Sequence, residues 1–155
     1  MAADRSYVAQ NTAQRDRLKA FVGQASDVDL AAPMPAGWTV AGVLAHLAYW
    51  DQRIVVLVDR WEAAGASAVP RPTRDEDVDW INDAGKPQCL ALSPRAAAHL
   101  AVAAAEAADA RVAGLKDEFL AANAKAGTPI NPLRAMHRQD HLDEIERALA
   151  MSRRR

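Results

Sequence analysis

The chain of 155 residues and 16.7 kDa is long enough to bury roughly 70% of its extended surface as one domain, with no need of a disulfide or metal to hold it. Thirty-six alanines against 7 glycines and 5% aromatic residues favour closely packed helices and argue against a β-sandwich or barrel. With 19 basic and 20 acidic residues and a formal net charge of -1, the chain lacks the basic footprint of a general nucleic-acid binder.

The first predicted helix runs from about Ser6 to Ala25, with Tyr7, Leu18, Phe21 and Val22 at helical spacing. Asn11, Gln14 and Arg15 interrupt that stripe and face either a cavity or water. A loop through Ser26, Pro33, Pro35 and Gly37 leads to Thr39, an N-cap for a second helix that ends at Gly65 after Ala64. Val43, Leu47, Trp50, Ile54, Leu57, Val58 and Trp61 give this helix a wide apolar face, as a central element needs.

Residues 66–92 form a long connection. Within it a short helix is expected from about Asp77 to Ala84, ended by Gly85 and Pro87, with Trp80 covering one end of the assembly. Ser93-Pro94 starts a third helix, rich in alanine, that continues to about Asn123 and is closed by Gly127, Thr128 and Pro129. Asn131-Pro132 repeats the signal for a fourth helix carrying Leu133, Met136, Leu142, Ile145 and Leu149. Four long helices without a strand-period run predict an all-α four-helix bundle, one domain over residues 1–152 with a solvated basic tail from Arg153 to Arg155.

A single cysteine, Cys89, excludes a disulfide within the chain and fits a reducing compartment; no reactive role is assigned to it. No apolar core follows Met1-Ala2-Ala3-Asp4-Arg5, and no window nears the roughly 18 apolar residues of a membrane span. The expectation is a soluble cytoplasmic protein with neither membrane nor nucleic-acid partner.

Metal or acid–base chemistry then falls to four histidines. His137 and His141 lie four apart, so two imidazoles share one helix face and can ligate one ion. Arg138 stands where HExxH proteases carry their general base, which excludes that mechanism. His46 shares the apolar stripe of the second helix and points into the core, where an imidazole needs a partner. A hydrogen-bonded core histidine and a chance surface pair would satisfy the same spacings. His99 sits apart on the third helix and is expected to be exposed or at an interface, outside the metal site.

Gly37-Trp38-Thr39-Val40, Leu44-Ala45-His46-Leu47 and Trp50-Asp51, with His137, His141, Leu142 and Ile145 near the end, resemble the DinB-like and YfiT-like metalloenzyme family. That family includes thiol S-transferases such as bacillithiol transferase, and the amino-terminal domain of mycothiol-dependent maleylpyruvate isomerase is similar. The resemblance covers nearly the whole chain. It implies a four-helix bundle with a long crossover between helices two and three, a homodimer, and a zinc or nickel ion on His46, His137 and His141. The isomerase has an acidic residue where this chain has His137, and a further domain that is not expected here, so maleylpyruvate isomerase activity is disfavoured.

Three imidazoles leave a tetrahedral ion one open position, as in catalytic sites. The resemblance favours use of that position for a low-molecular-weight thiol attacking a small-molecule electrophile, a detoxifying transfer. The alanine-rich composition fits a high-GC coding sequence and hence mycothiol. Asp51, Asp140 and Glu144 are candidates to orient the ligating histidines, or else surface charges paired with Arg138 or Arg147. Arg53, two turns from His46, is a candidate for a substrate carboxylate or an interhelical salt bridge. Trp50 walls the pocket or simply packs. The alternative function is a non-catalytic metal- or small-molecule-binding dimeric bundle, with the alanine-rich helix as its interface.

Overall fold

The computed structural model describes residues 2–155 and is all-helical. Its helices are α1 (Ser6–Gln24), α2 (Asp27–Ala31), α3 (Val40–Ala64), α4 (Asp75–Ala91), α5 (Pro94–Ala113), α6 (Asp117–Lys125) and α7 (Ala135–Arg153). Among the described residues there is no strand, only an isolated bridge between Pro33 and Thr39. Among the same described residues no helix is long and apolar enough to cross a membrane.

The long helices α1, α3, α5 and α7 share one core. At one end Leu18, Val22, Leu44, Leu47, Leu142 and Ile145 meet the alanines of α5. At the other, Tyr7, Ile54, Leu57, Val58 and Val112 close the interior. The alanine face of α5 (Ala97, Ala98, Ala101, Ala105) is consumed here, buried inside the chain. Small side chains let α5 and α3 approach closely, and that is where the alanine richness is used.

Several boundaries differ from the sequence expectation, each for a local reason. The Ser26 loop holds α2, whose capping box pairs Ser26 Oγ with the Asp29 N–H at 3.1 Å and Asp29 Oδ2 with the Ser26 N–H at 3.0 Å. Thr39 does cap α3, its Oγ1 accepting from the Gly42 N–H at 3.0 Å. The crossover helix is longer than expected, and α4 runs through Gly85 and Pro87. Pro87 removes one intrahelical donor, but packing on α3 overrides that loss. The approach is close at Gly42, where an added Cβ would lie 2.8 Å from Leu90 Cδ2.

The third predicted helix is two. After Ala113 the chain turns at Gly114, with Arg5 donating to the carbonyls of Ala113 at 3.4 Å and Leu115 at 2.7 Å, and α6 starts afresh. The fourth begins at Ala135, not Asn131. Asn131 Oδ1 is used in a local turn to the Leu133 N–H (3.0 Å). The cap comes from α1 instead: Asn11 Oδ1 accepts from the backbone N–H groups of Arg134 (2.7 Å) and Ala135 (2.9 Å). The helix then extends to Arg153, whose guanidinium reaches Asp29 at 3.5 Å.

Between the two apolar clusters lies a buried ionic layer. Arg138 is fully buried, donating to Asp109 Oδ1 at 2.7 Å and to Asp51 Oδ2 at 3.1 Å. Arg134 Nε meets Asp51 Oδ1 at 3.0 Å, and Arg15 Nη1 meets Asp109 Oδ2 at 3.0 Å. Each long helix contributes to this layer, Asn11 and Arg15 from α1, Asp51 from α3, Asp109 from α5 and Arg138 from α7. Burial opposes the charge on Arg138, and the carboxylates of Asp109 and Asp51 more than offset it, raising the guanidinium further. Such a layer sets the register of α7 against α3, because a one-turn slip would strand charges in the core.

Candidate metal centre

Register decides the site. His46 on α3 faces the step between His137 and His141 on α7. His46 Nε2 lies 3.1 Å from His137 Nε2, and His141 Nε2 lies 3.2 Å from His137 Nε2. The ring centroids are 4.8 to 5.1 Å apart. One ligand atom from each residue lies within 4.8 Å of the others. Tetrahedral ligation at zinc–nitrogen distances of about 2.0–2.1 Å would separate nitrogens by roughly 3.3 Å, so the observed spacing fits a shared ion.

The electrostatics agree with ligation. Burial, with repulsion from His141, brings His46 down to about 4. Burial again, with repulsion from His141 and His46 and then from Arg134 and Arg138, holds His137 at about 2. Both imidazoles are therefore neutral near pH 7, with lone pairs available. His141 Nδ1 donates to Glu144 Oε2 at 2.9 Å, and this bond orients the ring so that its Nε2 is aimed at the cluster, 3.2 Å from His137 Nε2. His46 is gripped edge-on by Trp38 (centroids 5.8 Å apart) and Trp50 (6.5 Å).

Of the four residues expected around the histidines, Glu144 alone touches one. Asp140 is exposed. Asp51 belongs to the ionic layer and binds Arg134 and Arg138, not an imidazole. Arg53 stacks on Trp50 at 5.5 Å and donates to Thr73 Oγ1 at 2.9 Å; no interhelical ion pair forms there. Trp50 is packed away and donates to Asn82 Oδ1 at 2.9 Å, so it ties α3 to α4. The residue that walls the site is Trp38. Trp80 is 60% exposed and covers no core. His99 is exposed, as expected. Burial raises the Cys89 thiol, which leaves it protonated and unreactive.

Sequence reading missed the ionic layer. Its signal was present: Arg138 lies on the same stripe as Leu142, Ile145 and Leu149, and Asn11 lies on that of Tyr7, Leu18 and Val22.

The histidines form the floor of a cleft of about 1090 Å³ between α4 and α7. Its walls carry charges of both signs, Asp79 and Asp83 from α4, Glu144 and Arg147 from α7, and Arg155 beyond it.

This all-helical chain brings three histidines together at the base of an open cleft, a group that could hold a metal ion within reach of small molecules. Residues 12–140 match the family described as mycothiol maleylpyruvate isomerase N-terminal domain, and the chain belongs to that family. The matched span includes His46 and His137 and stops one residue before His141. No curated protein and no solved structure matches the chain.

Proposed function

We propose that this protein binds one divalent ion, zinc or nickel, through His46, His137 and His141, and that it transfers a low-molecular-weight thiol to an electrophile. The observation that carries the reading is the set of three Nε2 atoms at 3.1 and 3.2 Å spacing on the floor of an open cleft. On this reading α1, α3, α5 and α7 are the four-helix bundle of the DinB-like fold and α4 lies in its crossover.

A bound ion supplies a Lewis acid that lowers the pKa of a thiol and holds it as thiolate at neutral pH. The chain's own residues do the rest. Glu144 holds His141 in the ligating tautomer, and the ionic layer holds α7 in register. Arg147 and Arg155, with Asp79 and Asp83 opposite, suit a polar thiol bearing hydroxyl, amide or carboxylate groups. The thiol loses its proton to solvent, and its sulfur forms the new C–S bond as the leaving group departs with the bonding pair. The family's name supports mycothiol as the thiol. The third histidine supports transfer over isomerisation, since the isomerase carries an acidic ligand at the position of His137.

The test is elemental analysis of untagged protein after incubation with zinc or nickel, followed by thiol-consumption assays with a panel of electrophiles. About one ion per chain, and turnover abolished by chelator, is expected. Less than about a tenth of an equivalent overturns the reading, because three-ligand sites hold their ion through purification. Stoichiometric metal without turnover would leave a non-catalytic metal binder.

A further inference from the structure

A second cavity, of about 860 Å³, opens between α3, α4 and α5 and meets the histidine cleft at Trp38, His46 and Asn82. The two differ in chemistry. No aspartate, glutamate, lysine or arginine lines the second chamber; its walls are mainly apolar, with Tyr49, Trp80, Ile81, Leu92 and Leu100 prominent and Gln52 and Gln88 as neutral polar groups among them. Its volume falls in the range of about 300–1,000 Å³ that encloses a drug-sized molecule.

Asn82 stands where the chambers meet, and its orientation is determined. The Trp50 indole N–H can only donate, so it must face the amide oxygen, as it does at 2.9 Å. The Asn82 NH2 group makes no hydrogen bond among the described residues and is not shut away in the interior. It is a fixed donor at the mouth of an uncharged chamber. Gly85, one turn of α4 further on, also lines the chamber, and a Cβ added there would meet nothing within 4 Å.

We propose that this chamber is a second binding site, for an uncharged, largely apolar small molecule whose hydrogen-bond acceptor takes the Asn82 amide. As the seat of the electrophile it rests on the transferase reading; as a binding site it stands without it. The geometry then divides the substrates by chemistry, with the polar thiol in the charged cleft and the apolar acceptor in the chamber, meeting beside His46.

The probe is Prodan, a neutral naphthalene ketone whose emission shifts to the blue in apolar surroundings. It is titrated into metal-free protein and into protein given zinc. Saturation at one probe per chain is expected in both. Gly85→Leu fills the chamber and raises helix propensity, so it should weaken Prodan by about tenfold or more while the helical signal is kept. Asn82→Leu should weaken Prodan by roughly tenfold and leave the matching hydrocarbon without the ketone within about twofold. Equal Prodan affinity in wild type and Gly85→Leu overturns the proposal. So does anilinonaphthalenesulfonate, an anion, bound as tightly as Prodan. A probe excluded as chain concentration rises, with Leu100→Glu converting a dimer to monomer, assigns the chamber to a second copy and also overturns it. Metal content is measured in parallel. Protein that holds no metal but binds Prodan rejects the transferase reading alone, and metal-loaded protein blind to Prodan rejects the chamber alone.

Discussion

Replacing Asp51 by asparagine keeps its volume and removes a charge on which two buried guanidinium groups depend. Its Oδ1 accepts from Arg134 Nε at 3.0 Å, and its Oδ2 accepts from Arg138 Nε at 3.2 Å and Nη2 at 3.1 Å. An asparagine must turn an NH2 group towards one of these donors, so at least one guanidinium edge loses its acceptor. The layer changes from three arginines facing two aspartates to three facing one. Arg134 is 7% exposed and Arg138 0%, so neither can recover the loss from water. Breaking a buried pair by removing one partner costs about 3–5 kcal/mol, which in a domain of this size lowers Tm by roughly 10 °C. Urea unfolding at pH 7, followed by far-UV circular dichroism, reads this as a lower midpoint at unchanged slope. The double variant Asp51→Asn/Arg134→Met should regain about 1 kcal/mol or more relative to the single, because Asp51 is the one carboxylate paired with Arg134 and the double removes that stranded charge as well, while Arg138 keeps Asp109. A loss under about 1 kcal/mol, or simple additivity in the double, would refute the view that this layer locks the helices in register.

Glu144→Gln should weaken zinc binding by about 10- to 100-fold with no change in helical content, measured by competition with a chromophoric chelator; unchanged affinity would mean that Glu144 does not orient His141. Asn11→Ala strips the cap from two backbone N–H groups of α7 and should cost about 2–3 kcal/mol in urea unfolding, whereas a loss of a few tenths would point to water taking its place. Metal-free protein should lose stability on acidification: His46 falls from 6.5 unfolded to about 4 folded, so its contribution is complete above about pH 6.5 and disappears towards pH 4. From His46 alone this is roughly 3 kcal/mol. His137, lowered to about 2, acts in the same direction and further into acid. Urea midpoints at pH 7 and pH 4.5 in chelator check it, with His46→Gln expected to flatten the decline; equal midpoints for the wild type would contradict it.

The legible part of this protein is the part written in short-range patterns. The α3 start at Thr39, its stop at Gly65, the Pro94 start of α5 and the inward stripe of α3 depend on neighbours within a turn or two, and they stand in the structure as read. The three histidines were readable too, because i,i+4 spacing on α7 and a histidine on an apolar stripe each constrain where a side chain points. The boundaries that moved are those decided at a distance. α7 starts at Ala135 because Asn11, more than a hundred residues earlier, supplies its cap. α5 ends at Ala113 with that residue's carbonyl held by Arg5, and α4 carries Pro87 because α3 supports it.

Asp51 is the most instructive residue. Its sequence neighbourhood, one residue past Trp50 and five past His46, made it a candidate partner for an imidazole. In five residues a helix turns about 140° past one full revolution, so proximity in sequence did not place it on the histidine's face, and Arg134 and Arg138, at the start of α7, claim it. Local propensity, capping and the apolar stripes of single helices determined an all-helical chain and three inward histidines. The convergence of their nitrogens, the ionic layer that holds it and the two chambers that meet beside it were decided by the tertiary structure. They depend on the register between helices far apart in the chain, and buried charge must find its partner across that distance or not be buried at all.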